Sequence, residues 1–567
     1  MSGDKFRRLY TKEGEKLPDV PWNVYPRPRM RREKWLCLNG EWRITDCDGA
    51  DGTITVPFCP ESLLSGYKGN IRYGEIMRCS RSFFIPGDWG GSRILLHFGA
   101  VSRTCLVFVN GVEVCRHDNA YLPFSADITD VVKNGENTVS VSFTNDLSPR
   151  YPYGKQKKAR GGMWYTPVSG IWQTVWLEPT PEKRIEDVRV KTDMRGADIE
   201  AAGVSAGEVE CDGKVYPLKD GKVRIEPDDP VLWSPDSPHL YYFTVKSGGD
   251  AVVSYFALRA LSVGTVGGVP RLCLNGRPYF FHGLLDQGYF SDGLYTPAAP
   301  ELYENDIKAM KALGFNTLRK HIKIEPQQFY YDCDRLGMLV VQDMVNNGKY
   351  RFIRDTILPT LGFRRRNDRR SNRDAAAREE FRRSAIATVD ALSFHPCVCC
   401  WTIFNEGWGQ FCADEIYREI KAKDGSRFVD TTSGWFGQKE SDVESLHIYF
   451  GKLRLGADRK KPQALSEFGG YVYKDPRHSF NMKKTYGYKI FKTRESYVIA
   501  LKNVYEKEVV PLAKAGLCAS ILTQVSDVED ETNGILTFDR RVCKVSPEEL
   551  YEIAEKLQKA VAIQLYS

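Results

Sequence analysis

Two carboxylic acids in the second half of the chain have the sequence context of catalytic groups. Asn405 and Glu406 follow the apolar run 398–404, whose β-branched and aromatic composition is typical of a buried parallel strand. Glu467 lies 61 residues further on, at the end of the similar run 463–467. Two acids at the carboxyl ends of barrel strands suit the cleavage of a glycosidic bond, because one acid protonates the leaving oxygen while the other attacks the sugar or activates water.

The elements that must position these acids form a strand–helix alternation over residues 268–567. Eight strands are predicted, at 279–282, 315–318, 339–344, 398–404, 427–431, 445–447, 463–467 and 519–524. Helical segments between them have proper starts, such as Ser546-Pro547 followed by Glu549, which is a capping-box pattern. The alternation predicts a (β/α)₈ barrel, in which Glu406 closes the fourth strand and Glu467 closes the seventh.

The chain before the barrel has an all-β pattern in two parts. Residues 1–180 contain short alternating runs joined by turn residues such as Asn110-Gly111, which predicts a jelly-roll domain interrupted by a mobile loop at 153–162. Residues 181–267 are a shorter and more polar β segment, with the length of one immunoglobulin-like sandwich. We therefore expect a multidomain protein that combines β domains with an α/β barrel.

Length and charge exclude several classes of protein. The 567 residues carry 80 basic and 73 acidic side chains, a net charge of +7 that demands neither nucleic acid nor a membrane as partner. No stretch approaches the roughly 18 apolar residues of a membrane span, and the first residues are polar, so we expect a cytoplasmic protein.

The 15 cysteines are odd in number, and Cys397, Cys399 and Cys400 are expected to pack as reduced, buried thiols.

Several sequence blocks, in order along the chain, resemble glycoside hydrolase family 2, the family of β-galactosidases, β-glucuronidases and β-mannosidases. The matching blocks are residues 35–42, 56–62 and 170–176 in the β region and 282–289, 316–321, 404–408, 523–529 and 533–540 in the barrel. The resemblance implies a sugar-binding jelly roll and a catalytic barrel that hydrolyses a terminal β-linked sugar with retention of configuration. It also implies that no organic cofactor is needed.

Roles for three residues follow from the resemblance. Glu406 is expected to be the acid/base, Glu467 the nucleophile, and Asn405 a hydrogen-bond partner of the sugar 2-hydroxyl. The chemistry requires Glu467 to be ionised and Glu406 to be protonated in the resting enzyme. The two carboxyl groups of a retaining pair lie about 5 to 5.5 Å apart.

Seven more residues near the ends of predicted strands are candidates for substrate binding. Arg319 and His321, after strand two, are expected to contact either Glu467 or the substrate. Asp286, after strand one, binds a sugar hydroxyl or stabilises its own turn. The two tryptophans either stack on the sugar or pack at the barrel rim. The candidates are Asp286, Arg319, His321, Trp408, Trp435, His447 and Tyr449.

The terminal sugar is left open between two classes. Family β-glucuronidases carry an Asn-x-Lys element whose lysine binds the sugar carboxylate, and this chain has Glu531-Thr532-Asn533 at the corresponding place. The missing lysine favours a β-galactosidase-like enzyme. The acidic metal-binding sets of large β-galactosidases are not recognisable either, so no required metal ion is expected.

The alternative is a β-hexuronidase, acting on a glucuronide or galacturonide through other basic residues. The segment 351–383 is arginine-rich and is either a solvated, partly helical loop or a clamp for an anionic substrate or aglycone. Its arginines include Arg364, Arg365, Arg366, Arg369, Arg370 and Arg373, and Arg319, Lys320 and Lys323 add cations nearer the sugar. A carbohydrate-binding protein without catalysis is a weaker alternative, and a homo-oligomer is compatible with the family.

Overall fold

The computed structural model describes residues 5–363 and 367–562. Within these ranges, no helix combines the length and the apolar composition that crossing a membrane requires. Arg364, Arg365 and Arg366 lie outside the described residues. The described chain forms two β-rich parts followed by an eight-stranded barrel.

The first β-rich part has twelve short strands, of which ten form a sandwich of two antiparallel sheets, while β6 and β11 pair separately. The strands are β1 Leu36–Cys37, β2 Gly40–Thr45, β3 Asp51–Val56, β4 Met77–Phe84, β5 Arg93–Phe98, β6 Val101–Ser102, β7 Thr104–Val109, β8 Val112–His117, β9 Phe124–Asp127, β10 Glu136–Thr144, β11 Gly170–Ile171 and β12 Val175–Thr180. One sheet has the order β1-β12-β5-β9 and the other β3-β2-β4-β10-β7-β8. Alternate side chains, among them Trp42, Val107 and Val141, fill the space between them, as the two-residue period of a half-buried strand requires.

The second β-rich part is one seven-stranded antiparallel sheet that curls around its own core. Its strands are β13 Asp187–Thr192, β14 Ala197–Ala202, β15 Ala206–Cys211, β16 Lys214–Lys219, β17 Lys222–Ile225, β18 Tyr241–Ser247 and β19 Asp250–Phe256. The order is β13-β14-β17-β16-β15-β18-β19, and β13 also contacts β19. The core includes Ile199, Val209 and Phe243. The domain limits at 180/181 and 267/268 stay predictions.

A three-stranded antiparallel sheet leads into the barrel. Its strands are β20 Leu261–Val266, β21 Val269–Leu274 and β22 Arg277–Pro278. The barrel strands are β23 Phe281–Asp286, β24 Thr317–Lys320, β25 Leu339–Asp343, β26 Val398–Asn405, β27 Phe428–Ser433, β28 Glu444–Ile448, β29 Gln463–Gly469 and β32 Leu517–Thr523, and β30 Tyr471–Tyr473 pairs with β31 Lys489–Phe491 outside the barrel.

The barrel strands are parallel and hydrogen-bonded in the order β27-β26-β25-β24-β23-β32-β29-β28, and the two end strands lie side by side. The helices are α1 Glu301–Ala312, α2 Gln327–Leu336, α3 Leu358–Thr360, α4 Ala375–Leu392, α5 Ala413–Lys423, α6 Arg494–Val504, α7 Val510–Lys514 and α8 Pro547–Ala562. Single turns of 3₁₀ or π type occur at Glu13–Glu15, Pro28–Met30, Gly87–Trp89, Ile353–Ile357, Asp368–Arg370 and Tyr505–Val509. This is the predicted (β/α)₈ architecture.

Six of the eight barrel strands end one to four residues later than the sequence predicts, so Glu467 lies two residues inside the seventh strand, β29, and does not close it. The strands predicted at 279–282 and 315–318 lie instead at β23 and β24, which end at Asp286 and Lys320. Arg319 and Lys320 resemble loop residues in the sequence, but both are fully buried and ion-paired inside the barrel. Asp286 and Arg319 are therefore strand residues and do not follow their strands.

The fourth barrel strand, β26, is buried along its whole length, because the barrel interior covers one face and the helices cover the other. Cys397, Cys399 and Cys400 are buried here with free thiols. The strand delivers Asn405 and then Glu406 to the carboxyl end of the barrel, where the chemistry of this fold is found.

Arg32 connects the two β-rich parts. Its guanidinium lies 2.9 Å from a carboxylate oxygen of Glu178 in β12 and 2.8 Å from a carboxylate oxygen of Asp250 in β19. Arg32 and both carboxylates are buried, so each charge depends on the others for the interactions that water would otherwise supply.

Candidate active site

Glu406 leaves β26 through a tight left-handed turn. The backbone φ angle of Glu406 is +52° and that of Gly407 is +68°, a conformation that costs energy for a residue with a β-carbon and clusters at functional sites. The Glu406 backbone N–H donates to the carbonyl of Ser433, 2.9 Å away. This turn directs the Glu406 side chain across the mouth of the barrel, toward β28 and β29.

Glu467 is held by donors on both carboxylate oxygens. Nη1 of Arg319 donates to Oε1 at 2.9 Å, and the hydroxyl of Tyr449 donates to Oε2. Although burial favours the neutral acid, the charges of His447 and Arg319 dominate and lower the pKa of Glu467 to about 2. Opposite charge and hydrogen bonds to the ionised form act in the same direction, so Glu467 is a carboxylate at neutral pH.

His447 lies between the two glutamates. Its Nδ1 is 2.8 Å from Oε1 of Glu406, and its Nε2 is 3.5 Å from Oε1 of Glu467 and 2.8 Å from the hydroxyl of Ser433. One carboxylate oxygen of each glutamate and one ring nitrogen of His447 all lie within 4.8 Å of one another. The Glu406 side chain is 21% exposed and that of Glu467 is 5% exposed, so only Glu406 is open to solvent.

Arg319 organises this end of the barrel from below. Its Nε and Nη2 donate hydrogen bonds to the two carboxylate oxygens of Asp343, at 2.9 and 3.0 Å. Nη2 also donates to Oδ1 of Asn405 at 2.9 Å. His321 contacts the same aspartate, with Nδ1 2.9 Å from Oδ2. With its oxygen occupied by Arg319, Asn405 has a side-chain amide N–H₂ that makes no hydrogen bond within the described chain.

A small cavity of about 40 Å³ opens over the two glutamates. Its walls come from the barrel and from the loop between β10 and β11 in the first β-rich part. The lining residues are Lys155, Met163, Trp164, Leu285, His321, Tyr350, Asn405, Glu406, Trp408, Tyr449, Glu467, Tyr486, Tyr488, Thr523 and Glu531. The cavity has polar groups on its floor and aromatic rings around its rim, which is the usual composition of a small-ligand site.

The predicted site residues fall into three groups. Six line the cavity, and they are Asn405, Glu406, Glu467, His321, Trp408 and Tyr449. Two support the glutamates from behind, namely Arg319 and His447. The last two are placed elsewhere and are considered next.

Asp286 and Trp435 do not line the cavity. The carboxylate of Asp286 accepts from the Gly288 backbone N–H at 2.9 Å and pairs with Lys320 at 2.5 Å. These contacts stabilise the turn after β23, which is the second of the two predicted roles. Trp435 lies behind His447, with ring centroids 6.2 Å apart, and borders a separate cavity of about 170 Å³.

Sequence reasoning missed most of the cavity rim. The loop predicted to be mobile at 153–162 packs on the barrel, where the Tyr153 hydroxyl donates to the carbonyl of Gly348 at 2.9 Å. Trp164 follows this loop and packs edge-on against Tyr350 and Trp408, with centroids 5.0 and 5.2 Å apart. The sequence signal for this wall is the aromatic pair Trp164-Tyr165, which follows Gly161-Gly162 closely.

Tyr449 and Tyr488 form a second aromatic wall, stacked with ring centroids 4.0 Å apart. Glu531 closes the cavity beside them. Its carboxylate accepts from the hydroxyl of Tyr165 and from the Asn533 amide at 3.0 Å, and Asn533 in turn accepts from Gln524 at 2.8 Å. A buried carboxylate thus forms part of this wall of the cavity.

Two of the cations expected near the sugar are already neutralised. Lys320 lies 2.8 Å from Glu325 and also pairs with Asp286, and Lys323 lies 2.8 Å from Glu325. All of these charges are buried. Lys155 differs, because it lines the cavity and makes no ion pair in the part of the chain that the structure describes.

A metal ion would find three ligand atoms in one place among the described residues, on Glu406, His447 and Glu467. The contacts of Glu467 do not fit that use. Its two carboxylate oxygens already accept from a guanidinium and a phenol, and a cation placed there would face the positive charge of Arg319 at close range.

Comparisons with known proteins agree on the family. The sugar-binding domain of glycosyl hydrolases family 2 matches residues 68–181, and the TIM-barrel domain of the same family matches residues 270–467. A β-glucuronidase of Paenibacillus borealis is 25% identical over 386 residues, which cover 61% of this chain and 60% of that protein. A β-galactosidase of Aeromonas hydrophila is 27% identical over 404 residues, which cover 64% of this chain but 36% of that protein.

Solved structures share the fold over nearly the whole chain. A β-glucuronidase of an uncultured Clostridium species has a TM-score of 0.71 at 19% identity, covering 94% of this chain and 99% of the other. A β-galacturonidase of Eisenbergiella tayi has a TM-score of 0.66 at 19% identity, with 94% and 98% covered. Since the two family domains match in order over more than half of the sequence, the chain belongs to glycoside hydrolase family 2.

Proposed function

We propose that this protein is an exo-acting, retaining β-glycosidase. The observation that carries the proposal is the pairing of Glu406 and Glu467, whose carboxylate oxygens approach within 4.8 Å in two different electrostatic settings. This separation suits direct attack on the sugar, because an inverting pair needs about 6.5 to 9.5 Å to admit water between the acids.

The contacts support a different role for each acid. Glu467 is buried, accepts a hydrogen bond from Arg319 and is ionised, so it is the nucleophile that attacks the anomeric carbon. Glu406 faces the open side of the cavity and is bonded only to His447 among the described side chains, so it is the group that reaches the bridging oxygen. The reverse assignment would require protonating Glu467 against a neighbouring guanidinium.

The reaction then proceeds in two displacements. In the first, the Glu467 oxygen forms a bond to the anomeric carbon, the bond from that carbon to the leaving oxygen breaks, and Glu406 transfers its proton to the leaving oxygen. In the second, Glu406 takes a proton from water, the water oxygen attacks the anomeric carbon, and Glu467 leaves as a carboxylate. The free amide of Asn405 is placed to donate to the 2-hydroxyl during both steps.

A terminal sugar is the substrate class that the cavity supports. The cavity is small and is lined by residues of both the barrel and the first β-rich part, so it suits a single terminal sugar better than the interior of a polysaccharide chain. Trp164 and Trp408 line the cavity, and the C–H groups of a sugar pack well on aromatic surfaces.

A neutral, galactose-like sugar is our first choice. Glu531 adds a buried carboxylate to the wall, and a uronate carboxylate beside it would be repelled in a site with little water. Neutral sugar hydroxyls, by contrast, can donate hydrogen bonds to a carboxylate. The relatives named β-galactosidase support this choice.

A β-hexuronide is the second candidate, and Lys155 favours it. The ammonium group of Lys155 lines the cavity near His321, and burial together with the Lys155 charge lowers the pKa of that imidazole. A lysine without an ion pair in a substrate cavity is suited to a sugar carboxylate. The relatives and structural neighbours named β-glucuronidase and β-galacturonidase support this candidate.

The test is hydrolysis of nitrophenyl β-glycosides of galactose, glucose, mannose, glucuronate and galacturonate, with Glu467→Gln as the blank. Turnover limited to a neutral sugar, weakened by Glu531→Gln and little changed by Lys155→Met, supports the first choice. Turnover limited to a uronide and abolished by Lys155→Met supports the second. No turnover of any substrate by a folded protein would contradict the glycosidase proposal and favour a carbohydrate-binding protein.

A further inference from the structure

A second, strongly basic cavity lies next to the catalytic one. Its volume is about 580 Å³, far larger than that of the cavity over the glutamates. Five of its lining residues are cationic, and no acid lines it within the described residues. The lining residues are Lys349, Arg351, Arg354, Arg370, Ser371, Asn372, Arg373, Gly407, Gly409 and Gln410.

The two cavities share two short segments of chain. In one segment, Tyr350 lines the catalytic cavity while its neighbour Arg351 lines the basic one. In the other, Glu406 and Trp408 line the catalytic cavity, while Gly407 between them lines the basic one. The basic cavity therefore begins one residue away from the acid/base.

This position is on the leaving-group side of the bond. Glu406 must reach the bridging oxygen, so the group attached to that oxygen lies on the Glu406 side of the cavity. The aromatic rings of Tyr350 and Trp408, with centroids 5.6 Å apart, line the catalytic cavity beside the chain segments that it shares with the basic one. A leaving group that extends over these rings arrives among the arginines.

The positive charge of the basic cavity is only partly balanced. Arg354 pairs with Asp355, and Nε of Arg373 donates to the Arg370 carbonyl. Arg351 and Arg370 are exposed and make no ion pair within the described residues. The nearby carboxylate of Asp368 is buried, accepts through Oδ2 from the Ala413 backbone N–H at 2.8 Å and from the Gln410 amide, and makes no ion pair within the described residues.

We propose that this cavity binds an anionic leaving group, namely an aglycone sugar that carries a carboxylate or a sulfate. Guanidinium groups match both anions through paired N–H donors. The inference rests on the proposed glycosidase function and adds the class of aglycone. On this proposal the catalytic cavity recognises the terminal sugar, and the basic cavity separately binds the acidic group of the aglycone.

The test compares two fluorogenic substrates that differ by one negative charge, the umbelliferyl and 3-carboxyumbelliferyl β-glycosides of the sugar identified by hydrolysis. The variants are Arg351→Ala and Arg370→Ala. Arg369→Ala is the matched control, because Arg369 is an exposed arginine of the same run that does not line the cavity. The quantity of interest is the ratio of kcat/KM for the charged substrate to that for the uncharged one.

We expect this ratio to fall roughly threefold in each single variant and about tenfold in the double variant, the range of partly exposed charge pairs. The wild-type ratio should also fall as salt rises, since salt screens exposed charges. Arg369→Ala should keep the wild-type ratio. A ratio that is the same in wild type and double variant, or that falls equally in the control, would overturn the proposal.

A binding measurement separates this inference from the proposed function. Fluorescence titration with the free aglycones, 3-carboxyumbelliferone and umbelliferone, needs no turnover. Tighter binding of the carboxylated compound to wild type than to the double variant supports the basic site even in a protein that hydrolyses nothing. Equal binding to both proteins would refute the site, whatever the enzyme activity.

Discussion

Nδ1 of His447 lies 2.8 Å from Oε1 of Glu406, and the opposite nitrogen of the same ring lies 3.5 Å from Glu467. One buried imidazole therefore contacts both the proposed proton donor and the proposed nucleophile. The imidazole thus connects the two carboxyl groups, and each contact around it can be tested by substitution.

Tyr449→Phe tests the contact to the nucleophile. The hydroxyl of Tyr449 donates to Oε2 of Glu467, and its ring is held by stacking on Tyr488, so the variant should fold normally. Loss of a hydrogen bond to a charged group should lower kcat/KM roughly tenfold or more.

The same variant should change the pH profile. The pKa of Glu467 is lowered to about 2, so wild-type Glu467 stays ionised throughout the usual assay range. Removing a donor to the ionised form raises that pKa, and activity should then be lost on the acid side at a higher pH than in wild type. An unchanged acid limb of kcat/KM would contradict the role given to Tyr449.

Glu406→Gln tests the acid/base assignment. Without a proton donor, the first step depends on how well the leaving group carries negative charge. We expect kcat/KM to fall by about 10³ for an unactivated phenyl glycoside and by less than about tenfold for the dinitrophenyl glycoside. A series of substituted phenyl glycosides measures this slope. Equal losses for all leaving groups would exclude Glu406 as the acid.

Trp164→Ala tests whether the first β-rich part completes the sugar site. Trp164 packs on Tyr350 and Trp408 at the cavity rim, and its removal should raise KM for the terminal sugar roughly tenfold with a smaller effect on kcat. Trp35→Ala is the control, because Trp35 belongs to the same part of the chain and does not line the cavity. Equal KM values for the two variants would remove Trp164 from the site.

Arg32→Met tests the link between the β-rich parts. Removing the buried guanidinium leaves Glu178 and Asp250 without their shared partner, and we expect the free energy of unfolding to fall by about 3 kcal/mol. Arg29→Met is the control. Arg29 pairs with Asp187 at a more exposed position, so its loss should cost about 1 kcal/mol or less.

The link should also depend on pH. Burial disfavours the charge on Glu178, but Arg27, His97 and Arg32 outweigh burial and lower the pKa to about 2, from 4.5. A carboxyl group whose pKa is lowered in the folded protein stabilises the fold at pH values above its ordinary pKa. This stabilisation is lost as the pH falls toward the pKa of the folded state. Urea unfolding between pH 5 and pH 3 should show this loss in wild type and less of it in Arg32→Met. Parallel pH curves would contradict the assignment.

The barrel and its two acids were predictable because local sequence patterns specify them. The apolar run of β26 is buried on both faces, and the Ser546 cap is followed by α8, where the Glu549 carboxylate accepts from the Ser546 N–H at 2.7 Å. Such patterns lie within a few neighbouring residues and can be read from one chain.

The cavity walls were not predictable because distant segments build them. Trp164 and Lys155 reach the barrel from another domain, and Glu531 is held by Tyr165 from 366 residues away. Arg319 looked like a loop residue because its partners, Asp343 and Glu467, lie on other strands. Charge pairs and walls of this kind depend on tertiary packing, which the sequence pattern does not specify.

The most direct test of the proposed mechanism is to trap the covalent intermediate. A dinitrophenyl 2-deoxy-2-fluoro-β-glycoside of the preferred sugar should inactivate the enzyme, release one dinitrophenol per chain and add the mass of one fluorosugar. Peptide mass spectrometry should locate that sugar on Glu467, and Glu467→Gln should not be labelled. Labelling of any other residue, or turnover that yields the α-sugar as first product without a trapped intermediate, would contradict Glu467 as the nucleophile of a retaining enzyme.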